Sequence, residues 1–401
     1  MGVITYLDHA ATTPLRPEVA AAMAEVHAAA LGNPTGSHPP AQRARRLLEE
    51  ARDEVAALMG REPGEIVFTS GGTESANLAV FGTLAAALAG SPAGTWSGES
   101  AGVGDRPLVL CSAVEHPAVR ASCRAAGERW GVGVVSLGVD GAGVVDLTAL
   151  AEAMSEQARL VAVMLANNET GVVQPVAAVV DAVRRRSARP WVFTDAVQAA
   201  PFMDLSEATQ GADLVSVSAH KVGGPVGAGV LAIGSQVPLS PLQHGGGQER
   251  ERRSGTQDVA GAVGLATALR LAARERGASA GRVAALRDRL ADGLLAQIAG
   301  AHRTVPTRVA TLPGHLHLCL AGVEREELLV ALGDQGVCVS GGSSCASGAL
   351  QPSHVLAAMG VPDDLARGSV RFTLGWGTSG DDIDRALSIV PAVVASLRRH
   401  A

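Results

Sequence analysis

The sequence predicts an α/β protein: a large domain built on a mostly parallel seven-stranded sheet between helices, plus a smaller α+β domain. Three observations carry this. Short β-rich runs alternate with Ala-rich helical patterns through the middle of the chain. Several of those runs are continuously apolar, as strands covered on both faces are. After about residue 275 the alternation gives way to longer helical stretches and two isolated strands.

The expected strands of the large sheet are 65–69, 107–111, 132–137, 160–165, 191–194, 214–218 and 228–233. Helical patterns at 74–88, 117–129, 147–155 and 176–186 separate them. Strands joined through helices imply βαβ crossovers, hence parallel neighbours. Beyond 275, helices are expected at 281–298, 324–332 and 381–399, with strands at 315–320 and 337–340. Residues 16–274 are assigned to the large domain, and 1–15 with 275–401 to the small one. The Gly/Ser/Pro-rich stretch 90–105 reads as a surface excursion, because the sheet pattern resumes directly after it.

The chain has 401 residues, 47% of them apolar and only 2% aromatic, so Ala, Val and Leu must fill the core. Net charge is −6 without a long run of one sign, and the densest basic cluster, Arg184-Arg185-Arg186, suits a solvated helix face. Neither nucleic-acid nor membrane binding is expected. Five cysteines, an odd number with no CxxC spacing, argue against a disulfide framework and a structural metal site. Together with the lack of an N-terminal leader pattern, this predicts a cytoplasmic protein.

Lys221 closes Ser218-Ala219-His220-Lys221 and precedes Val222-Gly223-Gly224-Pro225. A lysine after an apolar strand, among glycines, can hold an aldehyde cofactor as a Schiff base; the plain alternative is a surface charge. Asp195, at another strand end, can keep a pyridine nitrogen protonated or simply cap a helix. That pairing is the requirement of pyridoxal phosphate chemistry.

Thr69-Ser70-Gly71-Gly72-Thr73 ends a strand, turns on two glycines and opens a helix, so Gly72 and Thr73 offer a phosphate site or an ordinary capped turn. His116 follows a strand, where a ring can stack on a cofactor and move protons, or serve as a satisfied structural histidine. Of Asn167-Asn168, one amide can close the turn and the other can reach a cofactor oxygen. Arg371, between apolar residues on a strand, needs a carboxylate, either a substrate's or an internal one. Cys345 sits in Gly341-Gly342-Ser343-Ser344-Cys345, a run expected to be mobile and solvent-reachable, which marks it as a candidate nucleophile. Cys111, Cys319 and Cys338 read as structural.

Together these motifs resemble the cysteine desulfurases, fold-type I pyridoxal phosphate enzymes of the class V aminotransferase group. The likeness runs from Tyr6-Leu7-Asp8-His9-Ala10-Ala11-Thr12-Thr13-Pro14 and Gly32-Asn33-Pro34 through Glu115-His116 and Asn167-Asn168-Glu169-Thr170-Gly171. It continues through His244-Gly245-Gly246-Gly247-Gln248 and Arg253-Ser254-Gly255-Thr256 to the Cys345 loop and Arg371. The resemblance implies that Lys221 binds the cofactor and removes the substrate's α-proton. It implies that Gly72, Thr73, Ser218 and His220 hold the phosphate, that His116 stacks on the ring and handles protons, and that Asp195 pairs with its nitrogen. Asn168 and Gln198 would contact the ring oxygen, and Asn33 and Arg371 the substrate carboxylate. Thr256 would reach the phosphate of a neighbouring subunit, which implies a homodimer. The expected reaction turns L-cysteine into L-alanine and leaves a persulfide on Cys345. The long loop suggests the branch that passes sulfur to an acceptor protein for iron–sulfur assembly or tRNA and cofactor thiolation. Selenocysteine lyase, another class V enzyme and a non-catalytic scaffold are the alternative readings. The chain departs from the family pattern at Trp376, where many relatives carry Arg, and in its long 90–105 excursion.

Overall fold

The computed structural model describes residues 4–29, 32–89, 106–186, 189–342 and 353–400. Seven strands form the main sheet: β1 (Ile66–Thr69), β2 (Leu108–Ser112), β3 (Gly133–Leu137), β4 (Ala158–Ala162), β5 (Trp191–Asp195), β6 (Leu214–Ser218) and β7 (Gly229–Ile233). Their order is β1-β7-β6-β5-β4-β2-β3. Neighbours from β6 to β3 are parallel, and β7 alone runs antiparallel to its two partners.

The continuous apolar runs are explained by two covered faces. Val161, Val192, Val215 and Val230 point into one core, and the alternate residues Leu160, Phe193, Leu214 and Leu231 into another. The second face is covered by α1 (Gly72–Ala89) and α2 (Pro117–Trp130), through Leu78, Leu84 and Val119. The first is covered by α3 (Val176–Arg184), by helix Pro39–Met59 and by the start of α4 (Val259–Gln297).

A further core surrounds a three-stranded antiparallel sheet, Ser369–Thr373 beside His315–Leu320 beside Ala301–Arg303. Helix Gly380–His400 and the second half of α4 pack on it. The N-terminal strand Thr5–Tyr6 pairs with Val337–Cys338, so the first residues of the chain belong to this core. The expected helix 281–298 is only the second half of α4, whose 39 residues span about 58 Å. The expected boundary at 274/275 falls inside it. The expected strand 337–340 is shorter, and Ser340 instead bridges to Arg371. Among the described residues no helix is long and apolar enough to cross a membrane.

The direction of the strands positions the site. β1, β2, β4, β5 and β6 all end on one edge; Asp195 is the last residue of β5, and the segments that follow the other four carry Gly72, His116, Asn168 and Lys221.

Candidate active site

Nine of the residues singled out in the sequence line one cavity of about 210 Å³: Gly72, Thr73, His116, Asn168, Asp195, Gln198, Ser218, His220 and Lys221. Lys221 ends a single 3₁₀ turn, Ala219–Lys221, that directly follows β6. Its Nζ donates to the carbonyl oxygens of Ala10 and Ala11 at 2.5 and 2.8 Å. Burial and the nearby Arg371 guanidinium hold its pKa down at about 8, against the opposing pull of Asp195 and Asp8. The amine is therefore far closer to its neutral, nucleophilic form at physiological pH than an exposed lysine.

Asp195 closes β5 and is buried. Its Oδ1 accepts from the Val197 amide at 3.0 Å and from Ser216 Oγ at 3.1 Å. These bonds orient the carboxylate at the cavity wall, and a cationic ring nitrogen placed there gains opposite-charge stabilisation.

The turn from β1 into α1 is closely packed. Gly71 has φ +145°, and a Cβ on Gly229 would lie 2.5 Å from the Gly71 Cα. Without side chains at either position the backbone of the turn folds directly against β7. The amides opening α1 then face the cavity beside Thr73 and Ser218. Free N–H groups at a helix start attract an anion. Glu74 ties the turn from outside, accepting from the Ser70 amide at 2.7 Å and pairing with Arg253 at 2.8 Å.

His116 caps α2, its Nδ1 accepting from the Ala118 amide at 3.1 Å. The neutral ring assigned by that bond carries its proton on Nε2. Burial lowers its pKa, Asp195 opposes this and Lys221 adds to it. Behind it lies Glu115, fully buried, whose Oε1 accepts from the Met164 amide at 2.5 Å. Burial pushes this carboxyl well above the usual range. The two asparagines divide their tasks. Asn167 Oδ1 accepts from the amides of Glu169 and Thr170, both at 2.9 Å, closing the turn, and Asn168 lines the cavity.

Arg371 lies outside the cavity wall, opposite His317 in the smaller sheet, and is buried. It donates to Asp8 Oδ1 at 2.7 Å and to the Asn168 carbonyl at 2.8 Å. The internal ion pair weighed as one alternative is thus present. Asn33 also stands off the wall: it is exposed, and its Oδ1 accepts from the Thr35 amide at 3.0 Å in a local turn. Thr256 is exposed and not part of this chain's own cavity. Cys345 lies outside the described residues, as does the 90–105 excursion. Trp376 lines a smaller neighbouring cavity that shares Lys221 and Gln198, and the Arg16 guanidinium sits 5.0 Å above its ring.

Asp8 and Ala10, both in the motif Tyr6-Leu7-Asp8-His9-Ala10, contribute to the site in ways not assigned from the sequence. Ala10 acts through its backbone oxygen, which side-chain chemistry cannot reveal. Asp8 was detectable as the missing carboxylate for Arg371.

The profile of the family described as Aminotransferase class-V matches residues 5–386. The chain is 41% identical over 400 residues to an IscS-like cysteine desulfurase of Mycobacterium tuberculosis, covering 99% of this chain and 98% of that protein. It is 38% identical to the cysteine desulfurase IscS of Dictyoglomus turgidum, over 98% of this chain and 95% of that one. A solved structure described as a NifS-like protein superposes with a TM-score of 0.88 at 33% identity, over 98% of this chain and all of that one. With its strand-end lysine, aspartate and histidine gathered on one cavity, the chain belongs to the class V aminotransferase family.

Proposed function

We propose that this protein is a pyridoxal-phosphate-dependent cysteine desulfurase. It takes sulfur from L-cysteine, releases L-alanine and hands the sulfur through Cys345 to an acceptor protein. The observation that carries this reading is the Lys221 amine, held by two carbonyls with its pKa near 8, in one cavity with Asp195 and His116.

The cavity suits the cofactor from end to end. The turn at Gly71-Gly72, where a Cβ on Gly72 would meet Val197 at 2.9 Å and Gly229 of β7 packs without a side chain against Gly71, offers its amides to a phosphate, with Thr73, Ser218 and His220 around them. Asp195 sits where a ring nitrogen needs an anion, and His116, Asn168 and Gln198 complete the wall. When bound, pyridoxal phosphate supplies an electrophilic aldehyde and a cationic ring that accepts the electron pair released at the substrate's α-carbon.

Lys221 is the residue that would hold the cofactor's aldehyde, and its Nζ, with a pKa near 8, would be the base for the substrate's α-proton. Asp195 would hold the ring nitrogen in its protonated form. His116, on the cavity wall with Nδ1 taken by the Ala118 amide, would use Nε2 to serve the proton on the substrate thiol. Arg371, already charged and buried beside Asn168, offers its fork to the substrate carboxylate in exchange for Asp8. In the net reaction the Cβ–S bond of cysteine breaks and an S–S bond to Cys345 forms. One thiol hydrogen ends on alanine's Cβ and the other on the persulfide. Gly342, whose carbonyl lies 3.4 Å from Arg371 Nη1, is three residues of chain from Cys345, at most about 10 Å. Thr256, exposed and away from its own cavity, supports a homodimer in which it serves the neighbouring subunit.

The test is direct. Purified protein should carry a yellow chromophore that borohydride bleaches, and should form alanine and sulfide from L-cysteine. Lys221→Ala should lose both the chromophore and the activity. Cys345→Ser should keep the chromophore and lose persulfide formation. A Cys345→Ser variant with undiminished sulfide release would overturn the reading.

A further inference from the structure

Gly342 and Ser353, on either side of Cys345 in the chain, both lie against one buried side chain, Glu169. Ser353 Oγ donates to Glu169 Oε2 at 2.5 Å. Gly342, with φ +90°, packs so closely that a Cβ there would lie 3.2 Å from the same oxygen and 3.4 Å from His317 Nε2. The Arg371 guanidinium spans the gap, donating to the carbonyls of Asn168 and Gly342 at 2.8 and 3.4 Å. Ser353 passes the constraint onward, because its Oγ also accepts from the amides of Val355 and Leu356 at 3.1 and 3.3 Å and so starts helix His354–Ala358. His354 then reaches the Glu115 carbonyl at 3.0 Å, next to His116.

We propose that Glu169 is a positioning residue that fixes Ser353, on the C-terminal side of Cys345, to the wall of the cofactor cavity, with Gly342 on the N-terminal side packed against the same carboxylate. Glu169 immediately follows Asn168, so one turn of backbone ties the cavity wall and the sulfur-bearing segment together. The groups facing its carboxyl are Ser353, Arg371 and Arg325, each favouring the charged form against burial, which raises its pKa. The catalytic consequence rests on the desulfurase reading; the structural one does not.

Amide hydrogen exchange on cofactor-loaded protein separates the two. Glu169→Ala should speed exchange at Val355 and Leu356 at least tenfold, although Glu169 bonds to neither amide, and leave the amides at 71–73 unchanged. Glu169→Gln, which keeps an oxygen for Ser353, should restore most of the protection. In single-turnover assays with L-cysteine, Glu169→Ala should slow persulfide formation at least tenfold while cofactor content stays at the wild-type level. Unchanged exchange at 355–356, or faster exchange at 71–73 with loss of cofactor, overturns the proposal. A wild-type protein that makes no persulfide sinks the desulfurase reading, and the exchange result still decides the role of Glu169.

Discussion

Gln198 Nε2 and Lys221 Nζ converge on one acceptor, the carbonyl oxygen of Ala10, at 2.9 and 2.5 Å. The amine is thus presented to the cavity by backbone carbonyls, with no carboxylate among the described residues bonded to it. A carbonyl accepts from the neutral amine as well as, more strongly, from the ammonium, so it orients the group in both charge states. Burial and Arg371 then lower the pKa to about 8.

In cofactor-free protein, modification of Lys221 by trinitrobenzenesulfonate, followed by mass spectrometry, should show a midpoint near pH 8. The linked stability has a definite sign. The folded pKa lies below the unfolded value of about 10.4, so the ammonium costs native stability below about pH 8. That cost disappears as pH rises from about 8 to about 10.4, where the unfolded chain binds the extra proton. Cofactor-free Lys221→Met should therefore be more stable than wild type at pH 7, with the gap narrowing by pH 10. A gap in urea midpoints that stays constant across that range would remove the charge on Lys221 as its source.

Arg371 and Asp8 form a buried pair, with side chains 3% and 19% exposed. Removing one partner strands the other away from water. Asp8→Ala should destabilise the fold by roughly 3–5 kcal/mol. It should also lower the KM for L-cysteine, since the guanidinium no longer has to leave an internal carboxylate. Arg371→Ala should raise KM by at least tenfold. Steady-state kinetics on both variants separate the two effects, and parallel changes in KM would exclude an exchange of Asp8 for substrate.

Much of this arrangement was legible in the sequence because strand ends carry it. Leu214–Ser218 was expected at its observed bounds, and Lys221 follows it directly. The first half of α4 was not legible: Val259, Ala260, Ala262, Leu265, Ala266, Ala268 and Leu269 are all buried. A stretch covered nearly all round has no polar face, and so no helical period to detect. Helices Pro17–Ala28 and Pro39–Met59 carry one sequence signal, a proline at each first position. The partners of Lys221 stayed hidden for another reason. Ala10 and Ala11 lie 211 and 210 residues away and act through backbone oxygens.

Gly229 tests the close packing behind the phosphate turn. A methyl at this position would meet the Gly71 Cα at 2.5 Å, along with Gly71 C and N at 2.9 Å. Backbone cannot swing aside as a side-chain end can. Gly229→Ala should displace the turn opening α1, costing about 1–3 kcal/mol of stability. Release of the cofactor on dilution, followed by absorbance, should be at least tenfold faster. Gly64→Ala, with nothing within 4 Å, is the control and should leave release unchanged.

The segment leading to Thr256 is held by a different device. Glu249, Arg250 and Glu251 have φ of 50°, 56° and 62°, three successive non-glycine residues in the left-handed region. Each such residue costs about 1–2 kcal/mol, so a tertiary contact must hold the turn. Arg52 supplies it: its fork meets both Glu249 carboxylate oxygens at 2.8 Å, with the pair almost wholly buried. Glu249 also accepts from the Phe68 amide at 3.0 Å and from Gln257 at 2.6 Å, beside Thr256. Arg52→Met should destabilise the protein by roughly 3–5 kcal/mol by leaving that carboxylate unpaired. The double variant with Glu249→Leu should cost less than the sum of the single changes. Arg250 is exposed, so Arg250→Gly relieves strain without losing a buried contact. It should raise the urea midpoint by an amount worth up to about 1 kcal/mol. A lowered midpoint would mean that the turn is held by the Arg250 side chain, with the Arg52–Glu249 pair secondary.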